Sequence, residues 1–335
     1  MIVRATAPCR VDLAGGTLDI YPLYLFLDGG VTVNMAIDLH SRVEVEQRED
    51  AEVHLRSQDT GATLSAPEIA SLPVGGELDL VARVVKFYAP ACGVNVTTHN
   101  TAPHGSGLGA SSSLLIALTG ALDRLNGRGL THQQYVDLGA NIEAQAIGIP
   151  TGKQDYCAAL WGGINVIWFD TEGFRVEPAA CGSEVLQMLE RSVVLSFTGE
   201  SHFSGSSNWN MLRAYIEDLG NSRAHMRAIK ETALRMREAI HSGDLERFAQ
   251  IVDEEWQNRR NLAEGVSTPQ IERVMAAARQ AGALASKICG AGGGGCMITV
   301  TPEAARAAVI EALEAHGARH LPYRIARQGL EVEVT

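Results

Sequence analysis

The sequence predicts an α+β protein in two domains. Its 335 residues suit two domains or one large one, and 46% hydrophobic against 20% charged residues can form a sizeable core. Strand-like runs come first, at residues 2–14, 31–37, 41–46 and 94–98, and helical periodicity starts only after Gly109. From about residue 175 the pattern changes to long amphipathic helices between short strands. A strand, helix, strand, helix, strand order with mixed pairing suggests an α+β second domain.

The first strand, Ile2 to Ala14, stops at Gly15-Gly16-Thr17-Leu18-Asp19. Arg10 and Asp19 stand out in it, although a surface charge and a turn former account for each taken alone. Val31–Ile37 and Ser41–Glu46 read as two strands, the second alternating and so wet on one face. Leu115, Leu118, Leu122 and Leu125 recur at helical spacing until Asn126-Gly127 ends the run. Thr131-His132-Gln133-Gln134 is a capping box for the next helix, which Gly148 and Pro150 close. Asp155 is expected to cap a short helix over 156–160, and Trp161 to Phe169 to form a buried strand. Ser192–Phe197 is a strand, followed by helices at 208–218, 222–241, 245–262 and 269–281. The chain then runs through a glycine block, the strand Cys296–Val300, a helix begun by Pro302, and strands at 323–325 and 330–334.

Net charge of −11 argues against broad nucleic-acid or anionic-membrane binding, while leaving room for an anionic substrate. The six cysteines are scattered without zinc spacing, no signal-like segment opens the chain, and no apolar run spans a membrane. A reducing cytoplasm is expected.

Pro103-His104-Gly105-Ser106-Gly107-Leu108-Gly109-Ala110-Ser111-Ser112 carries the strongest chemical signal. Alternate glycines let backbone N–H groups approach an anion, and the first turn of the following helix offers unpaired N–H groups. This reads as a phosphate cradle whose serine hydroxyls suit magnesium. A tight turn with a serine cap is the alternative. Glu143 falls on a small, apolar helix face, where a carboxylate is costly without a cation. Metal ligation is one reading and an edge position reaching water is the other. Gly290 to Gly295 matches G-x-G-x-x-G but enters a strand, which a dinucleotide site does not.

Three blocks together resemble the GHMP small-molecule kinases: Ala7–Gly16, Pro103–Ser112 and Cys289–Cys296. Within that superfamily the chain is similar to the D-glycero-D-manno-heptose 7-phosphate kinases, through Gly152-Lys153-Gln154-Asp155, Trp161–Asn165, Thr198–Ser201, Glu255-Trp256 and Arg259-Arg260. Gly15-Gly16-Thr17-Leu18-Asp19 departs from the glycine triplet usual before that aspartate. The resemblance implies an N-terminal domain like ribosomal protein S5 domain 2 over 1–180, a ferredoxin-like domain over 181–335, and an active site between them. It implies ATP and Mg2+ as cofactors and a sugar or sugar phosphate as partner. Pro103, Gly105, Ser106, Gly107, Leu108, Gly109, Ala110, Ser111 and Ser112 would hold the ATP phosphates. Ser111 and Glu143 would hold magnesium. Asp155 would take the hydroxyl proton, kept ionised by Arg10. Gly16, Asp19, Asn34, Gln154, Gly292 and Gly293 would meet the sugar. Heptose 7-phosphate, attacked at its anomeric hydroxyl, is the expected acceptor. A kinase for unphosphorylated fucose, galactose or a uronic acid is the alternative, and a non-catalytic sensor is disfavoured because Ser111, Glu143 and Asp155 are all present. A phosphate tail would need Lys153, Arg259, Arg260 or Lys287, each of which reads alone as surface charge. The oligomeric state stays open, a homodimer included.

Overall fold

The computed structural model describes residues 1–200 and 204–335, with side chains at all of these except 204–207. Ser201 of the Thr198–Ser201 block lies outside the described residues. Strand β1 (Ile2–Ala14) is buried on both faces from Ala7 onward. It pairs antiparallel with β2, which runs unbroken from Gly30–Gln47 where two strands were expected. The apparent break is a bulge: Pro8 pairs His40 while Cys9 pairs Ile37, so Asp38 and Leu39 are looped out of the ladder. The first half of β2 pairs β6 (Ile164–Asp170) and the second half pairs β5 (Val94–Asn100), so the sheet forks. Strands β3 (Val53–Ser57), β4 (Thr63–Ala66) and β7 (Gly173–Pro178) extend its edges.

Helices α1 (Asp79–Tyr88), α2 (Ala110–Asn126), α3 (His132–Ile147) and α4 (Gln154–Trp161) share a core with the inner face of this sheet. Leu115, Leu118 and Leu122 are buried there, while Leu125 is partly buried at its margin. Thr131 caps α3, with the reciprocal bonds to Gln134 both present. Trp161 ends α4 instead of starting a strand, because Gly162 and Gly163 both take φ of 65° and turn the chain.

The second unit is helix-rich: α5 (Ser183–Ser192), α6 (Ser204–Glu217), α7 (Ser222–Ser242), α8 (Leu245–Arg259), α9 (Pro269–Gln280) and α10 (Arg306–Ala315). Its sheet has the order β11 (Arg319–His320), β8 (Val193–Phe197), β10 (Cys296–Val300), β9 (Ala285–Ile288). Every pair in it is antiparallel, not mixed. Residues 323–325 form no strand; Ile325 makes one isolated bridge to Ile37, and its N–H donates to Glu190 Oε1 at 2.9 Å. The last strand, β12 (Glu331–Val334), returns to the first sheet and pairs β1. No helix among the described residues is long and apolar enough to cross a membrane.

The halves share a core in which Val11, Leu13, Val33 and Met35 meet Met236, Ile240 and Phe248. Buried beside it is a quartet of charges. Lys287 Nζ lies 3.1 Å from Asp12 Oδ2 and 3.1 Å from Glu255 Oε2. Arg259 Nη2 lies 2.6 Å from Glu255 and 3.6 Å from Asp12. All four side chains are fully excluded from solvent, so Arg259 and Lys287 are not surface charges. Burial alone would raise the Asp12 carboxyl, but Lys287, Arg259 and Arg10 outweigh it and hold it below the usual range. Removing one partner strands an opposite charge in a dry interior. Lys287→Met is therefore expected to cost about 3–5 kcal/mol, read from urea denaturation; a loss under about 1 kcal/mol would show that the quartet does not act as a unit.

Candidate active site

The cleft holds a cavity of about 760 Å³. One wall is the glycine loop. Gly105, Gly107 and Gly109 take φ of 67°, 69° and 71°, the left-handed region that other residues avoid. Space makes the same demand. A Cβ on Gly107 would lie 2.7 Å from the Cys289 carbonyl oxygen, and one on Gly109 would lie 2.9 Å from Asp155 Oδ2. The loop then enters α2, where the first intrahelical bond runs from Ser113 N to Gly109 O. The amides of Ala110, Ser111 and Ser112 therefore have no helical acceptor, and all three residues line the cavity. A helix N-terminus with free amides behind a glycine loop favours an anion.

Asp155 stands opposite. It occupies the first turn of α4 but does not cap it; Lys153 is the cap residue and gives no side-chain bond. The capping acceptor comes from afar, since Asp19 Oδ2 accepts from Gln154 N at 2.9 Å. Arg10 joins the two walls. Its Nε donates to Asp155 Oδ1 at 2.7 Å, Nη2 forms an ion pair with the same oxygen at 2.6 Å, and Nη1 donates to the Gly107 carbonyl at 2.6 Å. Burial pushes the Asp155 carboxyl above the usual range, and Arg10 pulls against that without cancelling it. Arg10 thus acts in the expected direction, favouring the ionised carboxylate, but burial outweighs it. A raised pKa makes the ionised carboxylate a stronger proton acceptor.

Glu143, on α3, is buried with no ion pair among the described residues. Four hydroxyls serve it instead. Ser111 donates at 2.5 Å, Ser112 at 3.3 Å and Thr151 at 3.2 Å, and Tyr156 makes a very short bond. Burial raises its pKa, and the hydroxyl bonds only moderate that. A desolvated carboxylate ringed by hard oxygens at the end of a phosphate cradle fits a magnesium ion.

The structure brings Arg10, Asp19, Ser111, Glu143, Gln154 and Asp155 to one cavity. It does not bring every expected residue there. Leu108 lies in the core beneath the loop. Asn34 is fully buried, and its amide donates to the Gln154 carbonyl at 2.9 Å, steadying α4 from below. Gly16 lies against Asp12 and Arg259. Gly292 and Gly293 turn toward Val266; the Gly293 amide donates to its carbonyl at 2.8 Å. From the third glycine block only Gly290 and Ala291 reach the cavity. Sequence reasoning missed Thr151 and Tyr156, and the outer lobe formed by Ser57, Asp59, Thr60 and residues 75–81. The pair Gly75-Gly76, flanking that lobe, was the available signal.

A phosphate cradle facing a cation-held carboxylate defines the cleft of a phosphotransferase. The profile described as GHMP kinases N terminal domain matches residues 79–163, and that described as GHMP kinases C terminal matches residues 236–319, together about half of the chain. The chain belongs to the GHMP kinases, and it is an ATP-dependent kinase. Over 345 residues it is 29% identical to the D-glycero-alpha-D-manno-heptose 7-phosphate kinase of Campylobacter jejuni subsp. jejuni, with 98% of each chain covered. It is 28% identical to a mevalonate kinase of Thermococcus sibiricus, over 99% of each chain. The crystal structure of a D-glycero-D-manno-heptose 1-phosphate kinase from Bacteroides thetaiotaomicron superposes with a TM-score of 0.82 at 27% identity, again over 99% of each chain.

Asp19 supplies a measurable consequence. Burial, with Asp155 nearby, lifts its carboxyl from 3.8 to about 6. The folded state therefore binds this proton more tightly than the unfolded chain does. Stability from this group is full below about pH 4 and is lost as pH rises to about 6, on the order of 3 kcal/mol. Asp19→Asn is expected to flatten that fall in denaturation curves taken from pH 4 to 7. An identical fall in the variant would assign the titration elsewhere.

Proposed function

We propose that this kinase transfers the γ-phosphoryl group of ATP to a hydroxyl of a sugar. The observation that carries the reading is the contact of Asp155 with the phosphate loop: Arg10 holds the carboxylate, and only glycine at 109 leaves room for it. An acceptor alcohol between them would meet a base on one side and the γ-phosphate on the other.

The loop amides would hold the triphosphate. Asp155 takes the proton as the acceptor oxygen forms its bond to the γ-phosphorus; the bond to the β-bridging oxygen breaks, and ADP leaves. Arg10 orients the carboxylate and offsets charge on the group in flight. Phosphoryl transfer consists mostly of such positioning and charge stabilisation. Ser111 and Glu143, with Thr151 beside them, would hold magnesium, which supplies charge neutralisation on the phosphate oxygens. The heptose kinases among the relatives support a sugar acceptor. Their names favour a phosphorylated heptose; an unphosphorylated sugar is the second reading, favoured by the charge of the cavity wall.

An ADP-release screen across sugars, sugar phosphates, mevalonate and homoserine tests the proposal, and turnover confined to non-sugar alcohols would overturn it. Asp155→Asn is expected to lower kcat by about 10²–10⁴ while nucleotide affinity is kept. Near-normal turnover would remove Asp155 from the role of base. Glu143→Gln is expected to shift the magnesium activation curve to higher concentration, and an unmoved curve would count against ligation.

A further inference from the structure

We infer that the acceptor enters this site as a neutral sugar, without a phosphate group. The inference rests on the sugar-kinase reading and concerns the charge of the acceptor lobe. We take that lobe to be the part of the cavity lining tied to Asp155 by sequence or by the Asp19–Gln154 bond: Thr17, Asp19, Ile20, Gly152, Gln154 and Asp155. Two of the six are acids. Arg10 is the only lysine or arginine lining the cavity among the described residues. Its guanidinium is already committed to Asp155 and the Gly107 carbonyl.

A phosphate monoester is close to a dianion at neutral pH and is gripped by arginine or lysine donors or by free backbone amides, and the free amides of the glycine loop are those assigned to the nucleotide. The four basic residues that the sequence offered are all engaged elsewhere. Lys153 pairs with Asp137 at 2.8 Å, and Arg260 pairs with Glu272 at 3.1 Å. Arg259 and Lys287 are sealed in the buried quartet, balanced by Asp12 and Glu255. None of the four lines the cavity. Residues 201–207, whose side chains fall outside the description, include no lysine or arginine in sequence.

A dianion beside Asp19 and Asp155 would therefore face like charge with no free guanidinium or ammonium group in the lobe. Such juxtapositions are a strong device for rejecting a ligand. Sugar hydroxyls meet the opposite situation. An ionised carboxylate is acceptor-only, so each acid takes O–H donors. Asp19 has one oxygen on the Gln154 amide, and the residue lines the cavity. The wall fits a polyol.

Matched pairs give the test: D-mannose with its 6-phosphate, D-galactose with its 6-phosphate, and D-glycero-D-manno-heptose with its 7-phosphate, each with the full chain, ATP and magnesium. In the pair turned over best, the neutral member is expected to show kcat/KM at least about tenfold higher, mainly through KM. Equal or better turnover of the phosphorylated member overturns the inference and leaves the sugar-kinase reading standing. Turnover of mevalonate or homoserine with every sugar inert overturns that reading instead. Where ADP release is too slow to rank a pair, calorimetric titration ranks it, and tighter binding of the phosphorylated member is equally fatal. Asn208, one helical turn before the Met211 that touches Thr17, also lines the cavity. Asn208→Arg adds a cation there and is expected to narrow the gap several-fold; an unchanged gap would show that charge does not set it.

Discussion

The contact on which the cleft depends is the grip of one guanidinium on two walls. Arg10 leaves β1, reaches the Asp155 carboxylate with two nitrogens and the Gly107 carbonyl with the third. Those partners come from segments 97 and 145 residues away in sequence. A lysine could not do this, because a point charge lacks the planar fork. The arrangement also explains the glycine at 109, since Asp155 and the glycine loop are so close that a methyl group would separate them.

Around that grip the fold places buried acids in different company and so gives them different properties. Asp12 is surrounded by cations and held low. Asp155 has one cation and is raised by burial. Glu143 has hydroxyls and, among the described residues, no cation. Asp19 has a backbone amide and a neighbouring acid, and reaches about 6. Environment rather than residue type separates the electrostatics of these four acids.

Much of this was legible in the sequence because it is local. Alternate glycines before serines announce a cradle whatever follows, and Glu143 betrays itself by helical spacing against Val136, Gly139 and Ala140. What stayed hidden is long-range. Lys287 and Asp12 lie 275 residues apart, and nothing local distinguishes a buried lysine from the usual solvated one. Asn34 carries the right chemistry for a sugar, yet it pairs with Asp12 in the β1–β2 ladder and is buried beneath α4, while Gly16, past the end of β1, packs against Asp12 and Arg259. The β2 bulge misled in the same way, since the exposed Asp38 interrupts the apolar run without ending the strand. The net charge could not tell how cations are distributed, with Arg10 the only arginine or lysine lining the cavity among the described residues.

The charge quartet has a consequence for exchanging parts of this chain. Asp12 belongs to the amino-terminal sheet, whereas Glu255, Arg259 and Lys287 belong to the carboxy-terminal half. Arg259 also fastens the Gly16 carbonyl at 2.8 Å and the Gly290 carbonyl at 3.2 Å, so its reach extends to both glycine turns. A chimera that spliced one half onto a foreign counterpart would inherit an incomplete set of countercharges. The two halves of this chain are therefore coupled through buried charge, and a replacement half has to bring the matching countercharges with it.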